Sequence, residues 1–135
     1  MKQIELGRTG IMVSDWCLGT MTFSTQTPQD DAHRQIDMAL DAGLNFLDTA
    51  EMYPVNPLSA ETQGRTEEVI GEWFERDNRR RGVVLATKHS GAGIEYVRDG
   101  ALISAGTIKE TIEGSLRRLK TDYIDLYQFH WPNRG

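Results

Sequence analysis

Asp48, Lys88 and His130 each follow or end a short apolar run of this 135-residue sequence, and Tyr53 lies shortly after Asp48. Such runs are typical of buried parallel strands, whose carboxyl ends meet at one edge of a sheet. We therefore expect Asp48, Lys88 and His130 to lie close together, with Tyr53 on the adjoining loop. A carboxylate, an amine, an imidazole and a phenol in one place could move a proton to or from a carbonyl oxygen.

The residues alone leave three interpretations of Lys88 open. Lys88 and Asp48 could form a structural ion pair at the end of the sheet. A charged Lys88 near Tyr53 would instead make the phenol a better acid, because the cation favours the phenolate. Lys88 could also act as the Schiff-base nucleophile of an aldolase, although a paired Asp48 keeps the amine charged and poorly nucleophilic.

The other histidines and the cysteine favour structural roles. A lone histidine is more often a core residue than a catalyst, so His130 gains functional weight only from its neighbours. His33 is predicted on a helix surface and His89 in a loop, whereas Cys17 is predicted as a small core residue inside a strand. No His-x-His or His-Glu-x-x-His motif occurs, so we predict no metal site.

Composition and charge exclude several classes of partner. Fifteen basic and 20 acidic residues give a net charge of −5, which argues against binding to nucleic acids or anionic membranes. The basic run Arg79-Arg80-Arg81 most simply complements the C-terminal end of a helix dipole. With a single cysteine, no signal sequence and no apolar run of about 18 residues, we expect a cytoplasmic protein without a membrane segment.

The elements that must position these residues alternate between strands and helices. A hairpin is predicted within residues 1–14, with its turn at Gly7-Arg8-Thr9-Gly10. Four strand-like runs follow, namely Trp16-Cys17-Leu18-Gly19, Leu44-Asn45-Phe46-Leu47, Val83-Val84-Leu85-Ala86 and Tyr123-Ile124-Asp125-Leu126-Tyr127.

Three helical segments lie between these strands. The first is predicted to begin with a capping box at Thr27-Pro28-Gln29-Asp30 and to stop at Gly43. The second is predicted to start near Thr66 and to end in Arg79-Arg80-Arg81-Gly82. A second capping box, Thr107-Ile108-Lys109-Glu110, is predicted to begin the third helix.

Alternation of strand and helix predicts a parallel α/β sheet, either doubly wound or closed into a barrel. No Gly-x-Gly-x-x-Gly follows any strand, so the fingerprint of the open dinucleotide-binding sheet is absent. The polar residues fall at the C-termini of strands, where barrel enzymes keep their active sites. Both observations favour the barrel, and we expect Leu18, Phe46, Leu85 and Leu126 to face its interior.

Two segments resemble signatures of the aldo-keto reductase family. The first, Gly-Leu-Asn-Phe-Leu-Asp-Thr-Ala-Glu-Met-Tyr at residues 43–53, is similar to the first signature, and residues 116–132 are similar to the second. The loop that contains Glu51-Met52-Tyr53-Pro54 and Glu61-Thr62-Gln63-Gly64 is especially similar to the bacterial Tas-like subgroup. Together with the hairpin and Leu18-Gly19-Thr20-Met21, the resemblance covers nearly the whole chain.

The resemblance implies an oxidoreductase that reduces aldehydes or ketones with NADPH bound across the mouth of a TIM-type barrel. Tyr53 matches the general acid, and Lys88 matches the cation that strengthens this acid. Asp48 matches the carboxylate paired with the lysine, and His130 matches the imidazole that orients the carbonyl. A non-catalytic NADPH-binding regulatory or scaffold protein on the same barrel is the alternative.

The resemblance also suggests binding residues. Thr20, Met21 and Asp48 match positions at the nicotinamide end of the cofactor, and Trp131 matches a wall of the pocket for a small carbonyl substrate. A TIM barrel has eight strands and about 250 residues, whereas four barrel strands are counted here. We therefore expect the N-terminal half of a barrel, with a capping hairpin at 1–14 and strand-helix units at 15–135, that is inactive alone and self-associates.

Overall fold

The chain folds into a hairpin followed by alternating strands and helices, which confirms the α/β class and the half-barrel arrangement. The computed structural model describes residues 1–134, without the side chain of Asp77. The strands are β1 Gln3–Glu5, β2 Met12–Ser14, β3 Cys17–Gly19, β4 Phe46–Asp48, β5 Val84–His89 and β6 Leu126–Phe129, and the helices are α1 Gln29–Asp41, α2 Arg65–Asp77 and α3 Ala105–Leu119. Short 3₁₀ turns occupy Arg80–Gly82 and Arg98–Gly100.

Two sheets are formed. Strands β1 and β2 make the antiparallel hairpin, and β3, β4, β5 and β6 make a parallel sheet in that order. In this sheet Asp48 is paired with Gly19 on one side and Ala86 on the other, while Lys88 is paired with Gln128. Because side chains alternate along a strand, this register puts Asp48, Lys88 and Gln128 on the same face, near the carboxyl ends of their strands.

The helices cover one face of the parallel sheet and form the core there. Leu47 and Leu85 are fully buried, and Leu18 packs against the same cluster. Leu18 and Leu85 therefore face the helices, and the prediction that they face the barrel interior was wrong. A continuous apolar run has no alternation, so the sequence does not reveal which residues take which face. Phe46 and Leu126 lie at register positions of the opposite face, as expected.

The opposite face of the sheet is open over residues 1–134. Cys17 is exposed there, which corrects its prediction as a core residue, and Phe46, Val84 and Leu126 are only half-buried. Desolvation and the nearby Asp48 carboxylate raise the pKa of the Cys17 thiol to about 11, so the thiol stays protonated at neutral pH. Strands β3 and β6 are the edges of this sheet.

Both predicted capping boxes were placed wrongly. Helix α1 begins at Gln29 with Pro28 as its N-cap, and no side chain caps it. Helix α3 is capped by Ser104, whose Oγ accepts a hydrogen bond from Thr107 N at 3.2 Å, while Thr107 Oγ1 accepts one from Ser104 N at 2.8 Å. Thr107 is thus the third residue of the box rather than its start. Across residues 1–134, no helix has the length and apolar composition of a membrane span.

Three further predictions differ from the structure. His89 is the buried last residue of β5 rather than a loop residue. His33 is buried rather than on the surface, because α1 packs on α2 and His33 Nε2 lies 2.8 Å from Val69 O. The arginine run does more than follow the end of α2. Arg79 pairs with Asp37 at 2.7 Å, and Arg80 pairs with Asp125 at 3.0 Å. These arginines therefore connect α1 and the start of β6 to the end of α2.

Helices α2 and α3 cross at very short range at Gly71. A Cβ atom at this position would lie 2.2 Å from the backbone oxygen of Arg118. Since backbone cannot yield as a flexible side chain does, only glycine allows this approach. At Gly106 in α3, by contrast, the nearest atom to an added Cβ is Ser104 Oγ at 3.9 Å.

We expect Gly71→Ala to lower the free energy of unfolding by about 2 kcal/mol or more, because α2 and α3 must move apart. The matched change Gly106→Ala should raise it by about 0.5 kcal/mol, since alanine favours the helix and meets open space. Denaturant unfolding measures both. Equal effects of the two substitutions would contradict the close crossing.

The open face of the sheet predicts the behaviour of the 135-residue chain in isolation. Apolar side chains and unpaired strand edges invite association, so we expect dimers or larger species at micromolar concentrations. Phe46→Lys should weaken association by charging the open face, whereas Met38→Lys on the exposed side of α1 should not. Sedimentation velocity at several concentrations tests this expectation. A monomer of 15.2 kDa throughout would contradict it.

Candidate active site

An ion pair joins the ends of β4 and β5. Lys88 Nζ lies 2.7 Å from Asp48 Oδ2 and also donates a hydrogen bond to Thr49 O at 2.8 Å. The Lys88 side chain is 12% exposed and that of Asp48 is 32% exposed. From β6, Gln128 Nε2 donates to the other Asp48 oxygen, Oδ1, at 3.3 Å. Three adjacent parallel strands thus place a charged amine and a carboxylate at one edge of the sheet.

Tyr53 reaches this ion pair from the loop after β4. Its phenol oxygen lies 3.4 Å from Lys88 Nζ, and the ammonium lies 5.0 Å from the centre of the ring. The backbone around Tyr53 is held at both ends: its N–H donates to Ala50 O at 3.2 Å, and its carbonyl accepts from Gly64 N at 3.0 Å. The Tyr53-Pro54 peptide bond is cis.

His130 completes the group predicted from the sequence. Its ring meets the Tyr53 ring edge to face, with centroids 5.7 Å apart and an angle of 81°. The backbone N–H of His130 donates to His89 O at 2.8 Å, which continues the β5–β6 ladder by one residue. Its Nδ1 is buried and has no hydrogen-bond partner within residues 1–134.

Burial is the main cause of the lowered pKa of His130, and the Lys88 ammonium lowers this pKa further. The carboxylates of Asp48 and Glu51 oppose this effect. A histidine with a lowered pKa is neutral at pH 7. The imidazole therefore stands beside the phenol as an uncharged group, in which one ring nitrogen is a donor and the other an acceptor.

The predicted binding residues occupy different environments. Thr20 is buried, and its hydroxyl donates to Asp48 O at 2.8 Å, so it supports the strand end rather than presenting a free hydroxyl. Met21 is 48% exposed beside the same strand end, and its carbonyl accepts from Val55 N at 2.8 Å. Trp131 stacks obliquely next to His130, with ring centroids 5.3 Å apart.

The position of Trp131 depends on the loop after β5. Its Nε1 donates to Ala92 O at 3.0 Å, and its ring lies so close to Gly91 that a Cβ there would sit 2.1 Å from it. A glycine at this position is therefore what lets the indole ring pack against the loop.

Sequence reasoning missed two groups at the site. Gln128 contacts Asp48, and its place two residues after Leu126 on the same face was a usable signal once β6 was paired with β5. Glu51 is 1% exposed and pairs with Arg98 at 2.7 Å. Nothing local marks a glutamate as buried, because its partner lies 47 residues away.

The arrangement is suited to proton donation. A phenol lies within reach of an ammonium, and that ammonium is paired with a carboxylate. When a phenol gives up its proton, an adjacent cation stabilises the phenolate that remains. The site faces the open side of the sheet, so a small molecule can approach the phenol from there.

Comparisons with known proteins point to one family. Residues 16–134 match the model of the Aldo/keto reductase family. The chain is 42% identical over 137 residues to the protein tas of Escherichia coli (strain K12) and 44% identical over 139 residues to the uncharacterized oxidoreductase YrpG of Bacillus subtilis (strain 168). These alignments cover 99% of this chain but only 39% and 41% of the two relatives.

The solved structures lead to the same result. The holo form of the aldo-keto reductase AKR11C1 from Bacillus halodurans superimposes with a TM-score of 0.77 at 36% identity, covering 96% of this chain and 40% of that one. The chain thus spans about 40% of the length of the relatives it matches. From the family match over residues 16–134 and the similarity to Tas-like relatives, we conclude that the chain belongs to the aldo-keto reductase family.

Proposed function

We propose that these residues carry the proton-transfer machinery of an NADP-dependent aldo-keto reductase that reduces aldehydes or ketones to alcohols, with Tyr53 as general acid. One observation carries the proposal: Lys88 Nζ lies 2.7 Å from Asp48 Oδ2 and 3.4 Å from Tyr53 Oη, at strand ends of a chain of this family. The relatives are longer than this chain, so the activity is proposed for the whole protein that carries it.

Each of the three residues has its own task in the proposed proton transfer. Tyr53 gives its hydroxyl proton to the carbonyl oxygen as that oxygen becomes an alcohol. Lys88 stabilises the phenolate that Tyr53 leaves, because its ammonium faces the phenol oxygen. Asp48 pairs with Lys88 and fixes the position of its Nζ, with Gln128 holding the second carboxylate oxygen.

His130 and Trp131 are proposed to hold the substrate. A neutral imidazole next to the phenol can donate a hydrogen bond to the same carbonyl oxygen, and so orient it towards Tyr53. Trp131 adds an apolar wall beside His130. A small carbonyl compound that is polar at its oxygen and apolar elsewhere suits this pair of residues.

The residues at the end of β3 and β4 suit a nicotinamide cofactor. Met21 and Asp48 both present accessible side-chain surface at this strand end, and Thr20 holds the backbone of Asp48 in place. We propose that Met21 and Asp48 contact the nicotinamide end of NADPH, with Thr20 as their support. When bound, the reduced cofactor supplies a hydride to the carbonyl carbon. The Bacillus halodurans relative, which was solved in a holo form, supports a bound cofactor.

The short Lys88–Asp48 contact argues against the aldolase alternative. A Schiff base requires an uncharged amine, and a carboxylate at 2.7 Å favours the ammonium. The regulatory alternative shares the fold but does not require Tyr53 to lie within reach of Lys88. The contact among these side chains therefore favours a reductase.

We expect Tyr53→Phe to lower kcat at least 100-fold in the full-length protein, because the proton donor is lost while the ring is kept. NADPH oxidation with a panel of aldehydes and ketones measures the effect. Tyr123→Phe is the matched control, since Tyr123 precedes β6 at the opposite end of the sheet and stacks on Arg80.

Three outcomes would contradict the assignment. A Tyr53→Phe protein as fast as the wild type would remove Tyr53 as the acid. Tight NADPH binding without turnover of any carbonyl compound would favour the regulatory protein. Covalent trapping of a carbonyl substrate on Lys88 by borohydride would favour the aldolase.

The lowered pKa of His130 predicts its titration. We expect its midpoint, followed by NMR and assigned with His130→Gln, to lie below the usual 6.5. Lys88→Met should raise the midpoint, because it removes a like charge, and Asp48→Asn should lower it. Since the folded state resists protonation, this residue costs stability as the pH falls from 6.5 towards the folded midpoint. A midpoint above 6.5 in the wild type would contradict the neutral imidazole.

A further inference from the structure

A buried ion pair lies beside the loop after β4 that carries Tyr53, here called the Tyr53 turn, and it has no role in the proposed proton transfer. The Glu51 carboxylate is almost fully buried, and Arg98 approaches it with both terminal nitrogens, at 2.7 Å from Oε1 and 3.2 Å from Oε2. This two-point geometry fixes orientation as well as distance. Glu51 precedes Tyr53 by two residues, whereas Arg98 belongs to the segment 90–104 between β5 and α3.

Glu51 is also tied to the strand that carries Lys88. Its backbone N–H donates to Lys88 O at 3.3 Å, and its side-chain Oε2 accepts from Ser90 N at 3.1 Å. Its own carbonyl accepts from Gln63 Nε2 at 2.9 Å. Backbone and side chain of Glu51 thus connect the start of the Tyr53 turn to the residues on both sides of His89.

Arg98 occupies an unusual backbone conformation. Its φ is 52°, that of Asp99 is 55° and that of Gly100 is 71°, so three consecutive residues are left-handed. Residues other than glycine rarely adopt this conformation unless surrounding contacts hold them in it. The Arg98 guanidinium contacts Glu51 and, at 3.5 Å, His89 Nδ1, while the Arg98 carbonyl accepts from Ala101 N at 3.0 Å. In this conformation the segment brings the guanidinium to Glu51.

We propose that Glu51 and Arg98 are positioning residues, whose ion pair holds the Tyr53 turn against β5 and so sets the contact between Tyr53 Oη and Lys88 Nζ. This inference rests on the proposed role of Tyr53 as general acid. It makes the segment 90–104, which also contacts Trp131 through Ala92, a structural requirement for proton transfer. Neither Glu51 nor Arg98 needs to touch the substrate.

A second buried ion pair provides a matched control. Glu67 is fully buried, and its Oε1 accepts from Arg118 Nε at 2.8 Å. This pair joins α2 to α3 on the helix-covered side of the sheet, and Thr87 Oγ1 donates to its other oxygen at 2.8 Å. Loss of either buried carboxylate should destabilise the protein. Only the loss of Glu51 should disturb Tyr53.

The kinetic test uses two substitutions that change charge in opposite senses. In the full-length protein, Glu51→Gln removes a negative charge and Arg98→Gln removes a positive one. If the pair positions Tyr53, both variants should lower kcat at least tenfold, with less than a threefold change in KM. If it acts through its electric field, the alkaline limb of the pH–rate profile should move in opposite directions in the two variants. That outcome, or wild-type kcat in either variant, would overturn the proposal.

The control variant excludes a general loss of stability as the cause. Glu67→Gln should lower the midpoint of denaturant unfolding about as much as Glu51→Gln does, while kcat stays within twofold of the wild type. A Glu67→Gln protein that loses as much kcat as Glu51→Gln would overturn the proposal, because any buried carboxylate would then have the same effect.

Amide hydrogen exchange tests the same proposal without turnover. In Glu51→Gln, the amides of Tyr53, Val55 and residues 90–101 should exchange at least tenfold faster, while those of α2 should not change. Unchanged exchange at Tyr53 would overturn the positioning role, even if the protein has no activity at all. Conversely, the Tyr53→Phe protein could be active while Glu51→Gln shows the expected exchange pattern. That result would refute the proposed function and leave the structural link between Glu51 and Tyr53 in place.

Discussion

The contact between Lys88 and Asp48 is the interaction on which the candidate site depends. A lysine that is mostly withdrawn from water needs a partner, and the Asp48 carboxylate at 2.7 Å and the Thr49 carbonyl at 2.8 Å provide two. The remaining hydrogen-bond partner of its ammonium is the phenol oxygen of Tyr53. The same charge disfavours a proton on His130. One ion pair thus determines the environment of both groups that would meet a carbonyl oxygen.

Parallel pairing of neighbouring strands is sufficient to bring these groups together. Asp48, Lys88 and Gln128 come from three strands that are neighbours in both sequence and space, and each pairing requires only the next strand-helix unit. The helices pack on the other face of the sheet, so buried charge is divided between two environments. Lys88 and Asp48 face the open side, whereas Glu67 and Arg118 connect helices on the covered side.

The sequence predicted which site residues lie close together better than it predicted which surrounding residues are buried. Asp48, Lys88 and His130 follow or end apolar runs, so parallel pairing was sufficient to predict that they lie close together. Tyr53 was predicted near them because it lies on the loop that follows Asp48. The faces of Leu18 and Leu85 were predicted wrongly, because a continuous apolar run carries no alternation. His33 and Glu51 were not recognised as buried, because their partners, Val69 and Arg98, lie 36 and 47 residues further along the chain. Burial of a polar side chain is decided by tertiary pairing, which local pattern does not contain.

Water access is the remaining physical variable at this site. Asp48 keeps about a third of its side-chain surface exposed on the open face of the sheet, so water screens its attraction to Lys88. Any layer that covers this face, whether protein, cofactor or substrate, removes that water and strengthens the pair. The same desolvation lowers the pKa of His130 further, because burial is already its main cause. Covering the open face therefore strengthens the contact between Lys88 and Asp48 and favours the neutral form of His130.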